Sequence, residues 1–529
     1  MTTRFRLRPY QREAIDAVLR ARRAGTRRLV VCLPTGSGKT VIFAELARLA
    51  RRPVLVLAHR AELVQQARDK IARALQDEDA VAVEQADQVA ASEARVVVAS
   101  IRSLRPERLD RLCASHDFGL VVYDECHHAP AEDNQRVLRA LGAFDAGWTG
   151  TLLGFTATTA RGDGQGLDAV FEQVVYTRSL PDMIADGYLA RLRGLRIATA
   201  ADLRGVTAGR GDFDVEELAE AVDIEDRNAL VARSIQELAR DRRTVVFCVT
   251  VRHAIHLARA LNALGIRAGV VHGNLEKTAR ARVLRDLATG RLDAVTNVGV
   301  LTEGFDEPSI SCVAMARPTR SEGLYAQCVG RGTRLAPGKT DCLVLDFVDA
   351  SELDLVSLPS LAGLPRNLDL RGEELGEAHA VLQQIAFDHP GFEIEAGTIT
   401  LDEIRRRAAG FDPLKLAVDD EVQAISGFGW QSLGSAGVAL VYARNASHQR
   451  RGRRTTALVL KHAGRKGGKN WIVRVDGEQV ARFSSAEAAV EAVDYEVQRL
   501  GSVAVQSARA GGSAEEREAL FREHGPGGR

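Results

Sequence analysis

The sequence predicts an α/β fold: two parallel-sheet domains in tandem, followed by a smaller C-terminal α+β accessory region. Three observations predict it. Short apolar runs alternate with amphipathic stretches of helical spacing, the pattern of a parallel sheet covered by helices. The alternation fades between residues 178 and 240 and then restarts, which separates two units. Beyond Asp349 it ends, and from about residue 427 short β-branched runs separated by turns take over.

Bulk properties narrow the class. At 529 residues the chain has room for roughly three domains. Its hydrophobic share of 45% and charged share of 27% are those of a globular protein with real cores. No apolar run approaches ~18 residues, so no membrane span or membrane partner is expected. The start, Met1 to Tyr10, lacks the apolar segment of a secretory signal. The seven cysteines stand singly, with no Cys-x-x-Cys, which argues against a disulfide framework and a zinc ribbon. A reducing, cytoplasmic compartment is the expectation. With a net charge of +1, a nucleic-acid partner would be met by local basic patches.

Taken in order, residues 6–20 start a helix after Pro9, with Ala14, Ile15, Val18 and Leu19 on one face. Gln11 sits near its start, and its amide offers donors and an acceptor suited to an adenine edge. Arg28–Cys32 reads as a buried strand, and Val41 to Ala50 has helical spacing. Between them lies Leu33-Pro34-Thr35-Gly36-Ser37-Gly38-Lys39-Thr40. Strand, glycine turn, Lys-Thr and helix form the context of a phosphate-binding loop. Its backbone N–H groups and the helix start would cradle an anion. Lys39 would reach the β- and γ-phosphates, and the Thr40 hydroxyl would hold Mg²⁺. The strict pattern has glycine where this chain has Leu33.

Pro53 to Ala58 and Arg95 to Ser100 are further strands. Phe118 to Tyr123 is another, and it ends in the adjacent carboxylates Asp124 and Glu125. Downstream of a phosphate loop, the first would orient Mg²⁺ and the second would take a proton from water. His127 and His128 lack further ligands at metal-binding spacing, so a metal there is rejected. Leu153 to Arg161 reads as a strand with hydroxyls at its end. The second α/β unit has strands at 244–249, 268–273, 293–297, 311–315 and 341–346, and no phosphate loop. Gln327 to Arg334 is placed on a helix or its approach, with Arg331 and Arg334 sharing a face. Paired arginines there suit phosphate charge across a cleft.

Together these segments resemble the superfamily 2 DEAD/DEAH-like (DExH) helicases, over roughly residues 5–350. Pro34–Thr40 resembles motif I, Asp124-Glu-Cys-His127 motif II and Phe155-Thr-Ala-Thr158 motif III. Thr296 to Asp306 resembles motif V, and Gln327–Arg334 motif VI. Arg161-Gly-Asp-Gly and Ser179 to Leu189 are similar to the branch of restriction subunits, XPB-like helicases and RadD-like proteins. The chain lacks the cysteine cluster of the RadD-like C-terminal part.

The resemblance implies RecA-like domain 1 over 1–192 and RecA-like domain 2 over 193–350. It implies an ATP hydrolase with ATP and Mg²⁺ as cofactors. Lys39, Asp124, Glu125, Gln327, Arg331 and Arg334 would be catalytic, with an arginine finger among them. Gln11, Pro34 to Thr40, Gly304 and Asp306 would bind ATP, with Thr40 and Asp124 on Mg²⁺. His59, Arg60, Ser103, Thr156, His272 and Thr302 would line a nucleic-acid track. His59–Gln66 resembles motif Ia but lacks the Pro-Thr-Arg-Glu-Leu-Ala form typical of DEAD-box RNA helicases, which favours DNA. The expected function is a DNA helicase or translocase of repair or recombination, with repair or defence proteins as partners. An RNA helicase and a restriction or defence motor that does not unwind stay open as alternatives.

Residues 351–420 are expected as a mostly helical connector, and 421–505 as a small β-sheet module with one helix. Residues 506–529, rich in Gly, Ser and Arg, are expected as a mobile tail. Four strands are expected near 427–433, 437–443, 456–461 and 470–475, with a helix over 485–500. Between the strands lie basic loops containing Arg450, Arg451, Arg453 and Arg454, near Trp430, Tyr442 and Trp471. Basic loops beside aromatics suit a nucleic-acid backbone with stacked bases. Equally, the aromatics fill the small core.

Overall fold

The computed structural model describes residues 6–411 apart from 60, 158–165, 210, 303–304, 306, 351–354, 390–391, 393 and 395–398. Beyond these it describes 426, 428, 430–432, 437–444, 453–463, 469–475 and 478–499. The chain forms two compact units, Met1–Ala380 with Ala396–Leu401, and Val381–Glu395 with Asp402–Arg529.

The first unit holds two parallel sheets. Seven strands make the first: β1 (Arg28–Cys32), β2 (Val54–Ala58), β3 (Val81–Glu84), β4 (Val96–Ser100), β5 (Leu120–Asp124), β6 (Leu152–Thr156) and β7 (Gln173–Thr177). Their order is β3-β4-β2-β5-β6-β1-β7 and every pairing is parallel. β2, β4 and β6 are buried at every residue, because helices cover both faces and no polar alternation is needed. The helix Pro9–Arg23 begins on its proline, whose missing N–H is one that a helix start leaves unpaired anyway. It buries Ala14, Ile15 and Val18 as expected.

Six strands make the second sheet: β8 (Arg191–Asp202), β9 (Thr244–Phe247), β10 (Ala268–Val271), β11 (Ala294–Asn297), β12 (Cys312–Met315) and β13 (Asp341–Ala350). They run β10-β11-β9-β12-β13-β8, again parallel. The sheet therefore starts at Arg191, just before the expected domain boundary. A buried ion pair fastens its helical layer. Arg227, on the helix Glu225–Leu238, donates from Nε and Nη2 to the two carboxylate oxygens of Asp349 at 2.7 and 2.8 Å. It also donates from Nη1 to Ala316 O at 2.9 Å. Such two-pronged geometry is what lets a buried guanidinium and carboxylate offset their desolvation.

After β13 come two short paired strands, β14 (Leu368–Asp369) and β15 (Ile399–Thr400), and the helices Leu375–Asp388 and Leu401–Ala409. The second unit contains an antiparallel five-stranded sheet: β16 (Gln431–Ser432), β17 (Gly437–Arg444), β18 (Arg453–Ala463), β19 (Lys469–Val475) and β20 (Glu478–Phe483). Neighbours in sequence are neighbours in the sheet, and the helix Ala486–Arg499 follows. Trp430, Val438, Leu440 and Val473 pack with Ala489, Val490, Val493 and Val497 of that helix. Trp430 is fully buried, and its indole N–H lies 3.0 Å from both Ser426 Oγ and Asp494 Oδ1. It is a core residue, which decides for Trp430 between the two readings the sequence left open. Trp471 is half-buried and packs against the same core. Arg453 and Arg454 stand in β18 and not in a loop. Arg450, Arg451 and the 506–529 segment lie outside the described residues.

Candidate nucleotide cleft and nucleic-acid track

The phosphate loop runs from the end of β1 into the helix Lys39–Leu49. Gly36 and Gly38 stand at φ +86° and +78°, where a side chain would be strained. Leu33 explains its own departure from the strict glycine pattern. It is fully buried, and its N–H continues the sheet to Thr156 O at 2.9 Å. Tyr10 donates its hydroxyl to Ser37 O. Gln11 is buried beside the loop, its Oε1 accepting from Arg8 N at 3.0 Å. A Cβ at Gly38 would sit 3.1 Å from Gln11 Nε2, so the glutamine and the loop are in contact.

Lys39 is buried, and its Nζ donates to Glu125 Oε1 at 3.2 Å. Glu125 follows β5 at φ +52°, a left-handed conformation rare for a residue with a side chain. Burial alone would raise its pKa. The Lys39 ammonium beside it, with His127 at 3.5 Å, outweighs that and holds the carboxyl well below the usual range. The same pairing raises Lys39 against its own desolvation. Asp124 Oδ1 accepts from Glu125 N at 3.1 Å.

The residues present fit a nucleotide triphosphate and its cation. The buried hydroxyls of Thr35 and Ser37 make no hydrogen bond in the structure. Thr40 lies at the start of the helix beside them, Asp124 closes β5, one strand removed from β1, and Lys39 already faces an anion. Hydroxyl and carboxylate oxygens are the donors a hard divalent cation takes.

The second sheet's domain supplies the opposite wall. The helix Glu322–Val329 ends before Gly330, so Arg331 and Arg334 do not share a helix face as expected. They lie in the turn that follows, and the turn brings them together. Arg331 Nη1 and Arg334 Nη1 both donate to Phe305 O, at 2.7 and 2.6 Å. Gln327 is buried on the helix, and its carbonyl accepts from Arg331 Nε at 3.3 Å. The turn rests on the phosphate loop. Thr333 Oγ1 donates to Thr35 O at 3.1 Å, and a Cβ at Gly330 would sit 2.4 Å from Thr35 Cβ. Thr333, unremarked in the sequence, is the residue that joins the two walls. Its only signal was its place between the two arginines. Gly304 and Asp306 lie outside the described residues.

The residues expected along a nucleic-acid track are placed unevenly. His59 follows β2 and Ser103 follows β4, both half-buried. Ser103 Oγ accepts from Ala86 N at 3.4 Å. His272 follows β10, also half-buried. Thr156 is fully buried with its hydroxyl 3.4 Å from His127 Nδ1, so it faces the nucleotide side and not a surface. Thr302 is buried too, and its hydroxyl donates to Gly299 O at 2.9 Å, within its own turn. Both are corrections: neither hydroxyl is exposed for a phosphate. Arg60 lies outside the described residues. Arg102, exposed and 2.9 Å from His59 Nε2, was not anticipated.

Two parallel sheets, a phosphate loop on the first and paired arginines on the second define a two-domain nucleotide-driven enzyme. The family described as type III restriction enzyme, res subunit, matches residues 4–161, and the helicase conserved C-terminal domain matches residues 226–336. The chain belongs to the superfamily 2 helicases, in the branch related to restriction subunits. It is 38% identical over 372 residues to irc3 of Schizosaccharomyces pombe, which bears the name of a mitochondrial ATP-dependent helicase. It is 30% identical over 373 residues to IRC3 of Saccharomyces cerevisiae, also named an ATP-dependent helicase. Each match takes in 68% of this chain, but only 60% and 54% of those two proteins. Among solved structures, a fragment named as an HsdR subunit of a type I restriction enzyme from Vibrio vulnificus superposes with a TM-score of 0.51. That superposition covers 65% of each chain at 24% identity, a likeness of fold.

Proposed function

We propose that this chain turns ATP hydrolysis between its two parallel-sheet domains into movement along nucleic acid, DNA in preference to RNA, in repair or recombination. The observation that carries the reading is the cleft itself. The turn bearing Arg331, Thr333 and Arg334 touches the loop bearing Lys39 and Thr40.

The mechanism follows from the residues. Gln11 meets the adenine edge, and the loop N–H groups with Lys39 take the triphosphate. Lys39 then exchanges Glu125 for phosphate oxygen. Released from its cation, Glu125 becomes more basic and accepts the proton of the attacking water. Mg²⁺ bound through Thr40 and Asp124 would neutralise phosphate charge. Arg331 and Arg334 are drawn towards the γ-phosphate, which tightens the cleft. When that charge leaves, the arginines return to their own domain's acceptors and the cleft loosens. Stepping results if the tight and loose states hold nucleic acid differently, since a ligand shifts an equilibrium only by its differential affinity.

A second reading has its own support in the restriction-subunit family match over residues 4–161. In it the chain is a motor that translocates without separating strands, working with defence proteins. A cytoplasmic site of action, resting on the singly spaced cysteines, is part of the first proposal. ATP turnover with single-stranded, duplex and forked DNA and with RNA, followed by strand displacement, separates the readings. Stimulation by RNA alone would sink the first. Translocation without displacement would favour the second.

A further inference from the structure

A line of side chains runs from Glu125 to the surface at Arg102. Glu125 leads directly into the 3-10 turn Cys126–His128. His127 Nδ1 lies 3.5 Å from Glu125 Oε2 and 3.4 Å from Thr156 Oγ1, at the end of β6. The rings of His127 and His128 approach to 4.1 Å at 44°. His128 in turn stacks on His59, after β2, at 4.7 Å and 19°. His59 Nε2 is 2.9 Å from Nη2 of Arg102, in the turn after β4. His128 thus stands between the end that faces the nucleotide and the end that faces outward.

We infer that His128 is a positioning residue that couples nucleic acid at His59 and Arg102 to the placement of Glu125. The inference rests on the proposed nucleic-acid motor. Its physical basis is the stiffness of the turn. His128 N donates to Glu125 O at 3.1 Å, and Ala129 N to Cys126 O at 2.9 Å. Cys126 is fully buried against the sheet, where a Cβ on Gly154 would meet its Sγ at 2.6 Å. A displacement of the His128 ring therefore passes to the backbone of Glu125. That backbone holds its left-handed conformation only through its surroundings. A phosphate that draws Arg102 away from His59 changes the support of the stack. The stack then has two arrangements, engaged and released, which both ends bias.

The test is ATP turnover by the full chain with and without saturating oligothymidylate, for wild type, His128→Ala and His128→Phe. His128→Ala keeps the unstimulated turnover and the KM for ATP, and loses about ten-fold in stimulation, a typical coupling between sites. His128→Phe, which keeps a ring in the stack, restores most of that loss. The inference is overturned if His128→Ala is stimulated like wild type. It is equally overturned if both rates fall in proportion, or if Phe does no better than Ala. Wild type unstimulated by oligothymidylate overturns the inference, and wild type unstimulated also by duplex DNA, forked DNA and RNA overturns the motor reading itself.

Discussion

Lys39 and Glu125 hold each other across 3.2 Å in a nearly dry site, so the cation proposed for phosphate and the carboxylate proposed for water neutralise each other. Removing one partner of a buried pair strands the other's charge, at about 3–5 kcal/mol. Lys39→Ala therefore lowers the thermal stability of the first unit and abolishes productive ATP binding. Glu125→Gln keeps nucleotide binding and stops hydrolysis. Calorimetric nucleotide titration and a turnover assay check both. Normal turnover in either variant would refute the site.

Gly330 has an ordinary φ of −59°, so its requirement is space alone. A Cβ there would press on Thr35 Cβ and Cγ2 at 2.4 and 2.5 Å, and no rotamer change relieves the first. Gly330→Ala should hold the arginine turn off the phosphate loop. Misplacing a reacting group by an ångström costs about 10²-fold, so kcat should fall on that order with the far-ultraviolet spectrum unchanged. An unchanged kcat would mean that the two walls need not close this tightly.

What the sequence showed and what it hid have physical causes. The buried central strands were legible as continuous apolar runs, and so was each chemical residue standing at the end of one. β3, β7, β8 and β20 went unread, and all four lie at sheet edges. Edge strands are half-exposed: β7 is exposed or half-buried throughout, and β8 carries arginine at 191, 193 and 196. The adjacent carboxylates Asp124 and Glu125 were readable because strand ends are fixed by local sequence. The relation of Arg331 to Arg334 was misread because helical spacing continues past Val329 while the helix does not. Thr156 and Thr302 carry the right chemistry for a phosphate contact, but tertiary packing buries them. Nothing local to Thr333 announces its bond to Thr35, since the two are joined only by the folding of one domain onto the other.

Asp346 makes a pH prediction. It is fully enclosed, accepting from Tyr325 Oη at 2.6 Å and Leu358 N at 3.0 Å, and burial pushes its carboxyl from 3.8 up to about 6. The folded state thus binds this proton more tightly than the unfolded state. Its stabilising contribution is full below the unfolded value and is lost as pH rises through the folded one. Between about pH 4 and about pH 6 the loss amounts to about 3 kcal/mol. Asp346→Asn does not titrate, so urea unfolding should show its stability gaining on wild type by that order across the window. A constant difference between the two proteins would contradict the assignment.

Trp430 separates packing from chemistry in the C-terminal module. Trp430→Ala should destabilise that module by about 3–5 kcal/mol, through the cavity left among Val438, Leu440 and Val490. Trp430→Phe fills much of the space but deprives Asp494 of a donor, at about 1–3 kcal/mol. Unfolding followed by fluorescence and circular dichroism reads both. Equal losses would indicate that the indole N–H, and not its bulk, holds the module.

The central claim is that one active site is shared by two domains, and Arg331 tests it most directly. ATP turnover should be measured for wild type and Arg331→Ala, each with and without oligothymidylate. The account predicts that wild type is stimulated, and that Arg331→Ala still binds ATP but turns over about 10³-fold more slowly with the oligonucleotide present, the loss expected of an arginine finger. Wild-type turnover in Arg331→Ala would contradict it, since the phosphate loop would then be working without the second domain.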